Sequence, residues 1–425
     1  MTPTPPVPLV LTAPTADGLA RAAAGAAARA GGTTTLPGLA RELAAGADPR
    51  HRFRRVVLAG SAADLTAPGP HPVPVPEPGR LAFLYSGQSS QRPRQGLQLA
   101  SHCSLVAGAI ADVARYAGRR LDPPLDTVLA EEGEHGPDGL RRIDVTTHTQ
   151  PALLALALGL TDLLAAAGIF PDLVCGHSFG EVAAAACGGV WDRADATTVA
   201  VERGRLLGAL PQGGAMTAVE AGEDEITPLL AGTGVELSAV HTPTSVVLAG
   251  PVAAVHAVTD ILASRGVRTT RLAVGGAYHS AAVDPVLEPL RAMLARLPAG
   301  PLTVPLVGNA DGAVVDTAAT ANPAHWVRHC RATVRWAEVM RTLITRGVTT
   351  YLEIGPGAAL GRLATPNLPP VVRDQVVLAA TGPEPDEVTA LLTALAALDV
   401  RGHAVDWSAL LDVLAPTADS VRGIR

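Results

Sequence analysis

The chain has 425 residues, 48% of them hydrophobic and 17% charged, with a net charge of −6. That length holds two or three domains around a large core, and the mildly acidic balance argues against nucleic-acid binding. No lysine occurs, all 33 basic residues being arginine, which excludes Schiff-base and pyridoxal-phosphate enzymes and Gly-Lys-Ser/Thr phosphate loops.

Residues 8–11 and 54–59 read as strands, and 16–30 and 36–43 as helices. They form a small α/β unit with no nucleophile candidate. The run Pro68-Gly-Pro-His-Pro-Val-Pro-Val-Pro-Glu-Pro-Gly79 is an extended connector that marks the first boundary. Residues 81–85 form an apolar strand that breaks at Ser86-Gly-Gln-Ser-Ser-Gln91. Residues 152–170 are the longest apolar stretch, but Asp162 lies inside it, so a core helix is expected and not a membrane span. The start, Met1-Thr-Pro-Thr-Pro-Pro6, lacks the positive region of a signal peptide. Cys103, Cys175, Cys187 and Cys330 have no C-x-x-C spacing. A cytoplasmic protein with free core thiols is expected.

Gly176-His-Ser-Phe-Gly-Glu181 carries the most chemistry. A strand over 169–175 precedes it, and small residues suited to a tightly packed helix follow at 182–187. Gly-x-Ser-x-Gly between a strand and a helix is a nucleophile elbow, whose glycines relieve crowding at a strained turn. It presents Ser178 at the helix N-terminus, where the dipole and free N–H groups stabilise an oxyanion. Beyond it, strands at 215–219, 235–249 and 267–274 alternate with helices at 224–231 and 252–265. This run predicts a ferredoxin-like subdomain inserted into a larger one. The large subdomain resumes near His279 and runs to about Thr365, with strands at 302–307 and 349–354 and a helical region at 325–345. A C-terminal appendage carries a helix at 386–398. The fold class is α/β: an α/β-hydrolase-like large subdomain with an inserted ferredoxin-like small subdomain, plus a small N-terminal α/β domain.

A serine nucleophile needs a base. His177 precedes Ser178 on the elbow, and its side chain is expected to point away. His279 sits where the inserted subdomain returns to the large one, a junction that lines a cleft; a surface or core-satisfied histidine is the alternative. Gly355-Pro-Gly357 misses the dinucleotide fingerprint, because its third glycine comes one residue late and Pro356 occupies the turn. No His/Cys/Asp cluster has metal-ligand spacing, so no metal is implied.

Five ordered segments carry a family resemblance: Phe83-Leu-Tyr-Ser-Gly-Gln-Ser-Ser-Gln91, Thr149-Gln-Pro-Ala152, the elbow, Ala277-Tyr-His-Ser280 and Leu352-Glu-Ile-Gly-Pro-Gly357. Together they resemble the malonyl-CoA:acyl-carrier-protein acyltransferases of fatty-acid and polyketide synthesis, over roughly residues 81–365. The first 75 residues look like the linker domain between ketosynthase and acyltransferase in modular polyketide synthases, and Val400-Arg-Gly-His-Ala-Val-Asp-Trp407 resembles the segment after the acyltransferase. The domains implied are 1–75 (linker), 80–212 and 276–368 (large subdomain), 213–275 (small subdomain) and 369–425 (C-terminal linker segment).

The resemblance implies Ser178 as nucleophile and His279 as base, the latter oriented by a backbone carbonyl near His329. It implies an oxyanion hole from the N–H groups of Gln88 and Phe179. It makes Arg203, 25 positions after Ser178, the group that grips a malonyl carboxylate through two parallel hydrogen bonds. Taken alone, Arg203 reads as a solvated helix residue, as Arg205 still does. Gln150 is a hydrogen-bonding site residue, with a helix-capping role as the alternative. Three places depart from the family pattern. Ser86 and Ser89 stand where Pro and Gly are usual, His241 where Asn is usual, and Gly276 opens the motif that ends at His279. Tyr278 takes the position of an aromatic ring that crowds the α-carbon in malonyl-selective members, and apolar Phe179 points the same way.

The function expected from this resemblance is acyl transfer from malonyl-CoA or a related CoA thioester to the phosphopantetheine thiol of an acyl carrier protein, in polyketide and antibiotic biosynthesis. No cofactor is implied, since the phosphopantetheine belongs to the partner. A ketosynthase is a further partner; nucleic acid and membrane are not expected. The chain is read as a freestanding enzyme or an excised domain. The rivals are an acyl-carrier-protein thioester hydrolase and a catalytically silent docking module.

Overall fold

A computed structural model describes residues 5–414, apart from 31–33, 66, 68–72, 134, 136–139, 273, 370–375 and 383–385. The first part of the proline-rich connector and part of the C-terminal segment thus lie outside the described residues. Strand β1 (Val7–Ala13) pairs antiparallel with β2 (Phe53–Ala59), and the helices Ala16–Ala30 and Leu36–Ala45 pack on them. The chain next lays down β3 (Arg80–Tyr85) and β4 (Leu173–Gly176). It leaves for β5 (Gly214–Val219), β6 (Glu236–Thr242), β7 (Ser245–Pro251) and β8 (Thr269–Arg271). It returns with β9 (Leu306–Val307), β10 (Val334–Arg335), β11 (Val348–Ile354) and β12 (Val376–Ala379).

The large sheet runs β12-β11-β3-β4-β9 with every pairing parallel. Helices on its faces bury its strands, which is why β3 and β4 are nearly continuous apolar runs. The apolar stretch expected to form a core helix lies mostly in the helix Thr146–Ala166, most of whose residues are buried between the helices Ser104–Ala117 and Arg193–Gly208. Small residues permit that packing. A Cβ on Gly159 would stand 2.9 Å from the Val106 Cα.

The small sheet, β10-β6-β7-β5-β8, contains the ferredoxin-like order, but two expectations are corrected. Residues 235–249 are not one strand; Pro243 and Thr244 turn the chain between β6 and β7, which pair antiparallel. Residues 325–345 are not one helix. The helix Pro323–Arg331 ends, β-branched Thr333 and Val334 extend, and β10 adds to β6 in parallel before the helix Trp336–Thr345. The large subdomain therefore contributes a strand to the small sheet, tying the two together at the cleft. Strands expected at 169–175, 302–307 and 267–274 shorten to β4, β9 and the three residues of β8. Proline accounts for two of them, since Pro171 and Pro305 cannot donate to a ladder.

Candidate active site

Strand β4 ends at Gly176 and the helix Phe179–Cys187 starts three residues later, so the turn between them is forced. Ser178 sits at φ 53°, ψ −119°, a strained conformation for a residue with a Cβ. The flanking glycines make room. A Cβ on Gly176 would overlap the Gly180 backbone, and one on Gly180 would overlap the Tyr85 carbonyl. A buried network holds the turn from below. Glu181, fully buried, accepts the N–H and side-chain amide of Asn309 at 2.5 Å each and faces His325 at 3.3 Å. Asn309 Nδ2 also donates to the Gly176 carbonyl at 2.6 Å, and His329 Nε2 donates to the Ser178 carbonyl at 3.0 Å. Burial pushes Glu181 up, but His329, His325 and the Asn309 N–H outweigh it and hold the carboxyl at about 2.

Ser178 Oγ lies 2.7 Å from His279 Nε2. His279 Nδ1 lies 2.8 Å from the carbonyl of Ala332, so Nδ1 carries the proton and Nε2 is free to accept from the serine. The expected carbonyl near His329 is thus corrected to Ala332, the residue just past the end of the helix Pro323–Arg331, where a carbonyl is free to turn outward. His329 uses its side chain instead, on the elbow backbone. Burial, together with His329 and Arg203 nearby, lowers His279 to about 3, so it is neutral near pH 7.

Gly87 brings the loop that follows β3 against the elbow, since a Cβ there would overlap the His177 carbonyl. The N–H groups of Gln88 and Phe179 make no hydrogen bond among the described residues. The Gln88 side chain donates to Thr146 Oγ1 at 3.2 Å and accepts from Gln150 Nε2 at 2.9 Å, and Thr146 Oγ1 meets the Tyr278 hydroxyl at 2.7 Å. Gln150 is fully buried in this chain of bonds, in the second turn of its helix, so the capping alternative falls. Gly276 is buried with the Tyr278 ring as its nearest neighbour.

Arg203 is 4% exposed, its guanidinium 5.9 Å from the Phe179 ring centroid. Its Nε and Nη1 have no hydrogen-bond partner among the described residues, and no acidic side chain pairs with it there. Arg205, by contrast, is solvent-facing and bonds Glu202 at 2.9 Å. A cavity of about 210 Å³ opens from Ser178 and His279 between the two subdomains, walled mainly by apolar residues such as Met216, Val247, Leu272 and Leu360. His177 makes no hydrogen bond to Ser178 among the described residues and borders this cavity with His241; their Nε2 atoms are 3.0 Å apart. Burial lowers both rings, His241 to about 4.

The family-wide sequence pattern described as the acyl transferase domain matches residues 82–405. The chain belongs to the acyl transferase domain family. It is 38% identical over 334 residues to the spectinabilin polyketide synthase system protein NorB of Streptomyces orinoci, and 39% over 333 residues to the phenolphthiocerol synthesis polyketide synthase type I Pks15/1 of Mycobacterium marinum. Each match covers 78% of this chain, which spans 15% of the length of either synthase. Among solved structures it is similar to the acyltransferase domain from the second module of the salinomycin polyketide synthase, at 34% identity, 94% coverage of both chains and a TM-score of 0.77. The FabD of Acinetobacter baumannii matches at 26% identity and a TM-score of 0.66, covering 75% of this chain and 99% of that one. This acyltransferase domain is therefore of the polyketide-synthase type and malonyl-transacylase-like.

Sequence reasoning missed Glu181, Asn309, Thr146 and the His329 side chain as parts of the site. Glu181 had a signal, a charged residue in an otherwise small and apolar helix. Asn309 and Thr146 had none, because only tertiary packing brings them here.

Proposed function

We propose that this acyltransferase moves a malonyl-type acyl group from CoA to the phosphopantetheine thiol of an acyl carrier protein through an acyl-Ser178 intermediate. The observation that carries it is the Ser178–His279 hydrogen bond of 2.7 Å in a site that also buries Arg203, whose Nε and Nη1 have no hydrogen-bond partner and which has no acidic partner among the described residues. A buried cation without an acidic partner is costly, and a substrate carboxylate would offset that cost.

His279 takes the serine proton as Oγ attacks the thioester carbonyl. The Gln88 and Phe179 N–H groups receive the developing oxyanion, and CoA leaves as the thiol once the imidazolium returns the proton. The carrier's thiol then attacks the acyl-serine, with His279 again moving the proton. Arg203 holds the distal carboxylate throughout. Tyr278, fixed by Thr146, crowds the α-carbon and favours malonyl over substituted malonyl, by the roughly 1–3 kcal/mol a methyl group is worth. A carrier protein as partner is supported by a similar structure, a type II polyketide synthase acyl-carrier protein in complex with its malonyl-transacylase, 28% identical with a TM-score of 0.64. Residues 1–75 would serve as the docking unit toward a ketosynthase. CoA thioesters as substrates would put the reaction in the cytoplasm.

The test is competition among malonyl-, methylmalonyl-, ethylmalonyl- and acetyl-CoA, followed by carrier protein. Malonyl-enzyme that persists until carrier protein arrives supports transfer, whereas rapid release of free acid makes the protein a hydrolase. Arg203→Ala should lose about 2–3 kcal/mol toward malonyl-CoA, roughly 30- to 150-fold in kcat/KM, and little toward acetyl-CoA. Acetyl-enzyme dominating in the unmodified protein would sink the assignment of Arg203.

A further inference from the structure

Glu353 is fully buried at the end of β11, and no step above uses it. Its Oε1 accepts the Ser86 hydroxyl at 2.7 Å, and Ser86 is itself 4% exposed. Its Oε2 accepts the Gly361 N–H at 2.8 Å, with the N–H groups of Leu360 and Ala359 also turned to the carboxyl. One side chain thus joins two walls of the cavity: the loop that carries Gln88, and the segment of Ala359, Leu360 and Leu363 that faces it.

The contact is tight on both sides. The Ser86 N–H donates to the Ile354 carbonyl at 3.1 Å, so Ser86 is bonded twice to the end of β11. A Cβ on Gly355 would overlap the Ser86 hydroxyl, so the backbone passes directly over that contact. Gly87, next along, is pressed on the elbow. The Gln88 N–H therefore follows a residue anchored to β11 and a residue anchored to the elbow. A proline at position 86 would offer neither the hydroxyl nor the N–H. Ser89, just beyond Gln88, sits at φ 77°, where a glycine would be relaxed and a residue with a Cβ is strained.

We propose that Ser86 and Glu353 are a coupled positioning pair that sets the Gln88 N–H at the distance an oxyanion requires. The inference rests on the acyl-transfer reading above. An oxyanion donor acts only when its placement is right to within a fraction of an ångström. Loosening the anchor should slow the chemical step and leave substrate affinity alone, because the carboxylate grip of Arg203 is untouched.

The test is single-turnover acylation of Ser178 by malonyl-CoA in the full chain, read by intact mass as a function of malonyl-CoA concentration, with the melting temperature recorded in parallel. The variants are Ser86→Ala, Glu353→Gln and the double variant. Ser86→Ala should slow the maximal acylation rate roughly 10- to 100-fold with half-saturation unchanged. The double variant should be no slower than the slower single one, since each residue acts through the other. Acylation of Ser86→Ala at the unmodified rate, a loss confined to half-saturation, or losses that multiply in the double variant would each overturn the pair. If the unmodified chain forms no acyl-enzyme, it is the acyl-transfer reading that fails, and this inference with it.

Discussion

His279, the base of the proposed reaction, has no carboxylate bonded to it among the described residues; its Nδ1 partner is the neutral carbonyl of Ala332. That carbonyl fixes the tautomer without stabilising imidazolium as an anion would. His177, His241, His279 and His329 all have folded values below the ordinary 6.5, with burial the first cause in each. Below pH 6.5 the unfolded chain binds protons that the folded one refuses, so stability is present at neutral pH and falls as pH drops. Each such histidine contributes a slope of about 1.4 kcal/mol per pH unit. Denaturant unfolding at pH 7, 6 and 5 should show a progressive loss, and His241→Asn should flatten the slope by one group. A stability independent of pH between 7 and 5 would contradict the buried neutral rings. Arg203, which taken alone reads as a solvated helix residue, is 4% exposed and was placed by the family resemblance alone. The residues of the site were legible where a motif side chain would carry the proposed chemistry, as with Ser178. They were not where a backbone carbonyl does, because any residue could supply it; hence His329 for Ala332.

At the scale of elements, the elbow was readable because its constraint is local. Glycine at 176 and 180 is required by atoms within a few residues or on the adjacent β3. Gly180→Ala would push a Cβ into the Tyr85 carbonyl, costing about 1–3 kcal/mol of stability as β3 and the elbow separate. It should also slow Ser178 acylation, since the same shift moves Gln88; melting temperature and acylation rate together check this. The small sheet was harder to read. From 235 to 249 strand-forming residues run on both sides of Pro243, and only that proline with its flanking threonines marks the turn between β6 and β7. Strand β10 could not be read at all, because two residues make no periodic pattern and its partner β6 lies nearly a hundred positions upstream.

For the whole molecule, what joins the N-terminal α/β unit to the rest is partly electrostatic. Arg54 on β2 bonds Asp399 at 2.9 Å, with their side chains 7% and 3% exposed. Asp399 ends the helix Glu387–Asp399 and also accepts the Val405 N–H at 3.2 Å. The first and last parts of the chain are therefore clamped through one buried pair. Arg54→Met alone leaves a buried carboxylate without its cation, and should cost about 3–5 kcal/mol. Pairing it with Asp399→Leu should recover much of that loss, read by denaturant unfolding.

In the proposed reaction Ser178 carries the acyl group. Intact mass after incubation with malonyl-CoA tests it most directly. One malonyl adduct is expected, located on Ser178, absent in Ser178→Ala and discharged by a carrier protein. An unmodified mass, or an equal adduct on Ser178→Ala, would contradict it.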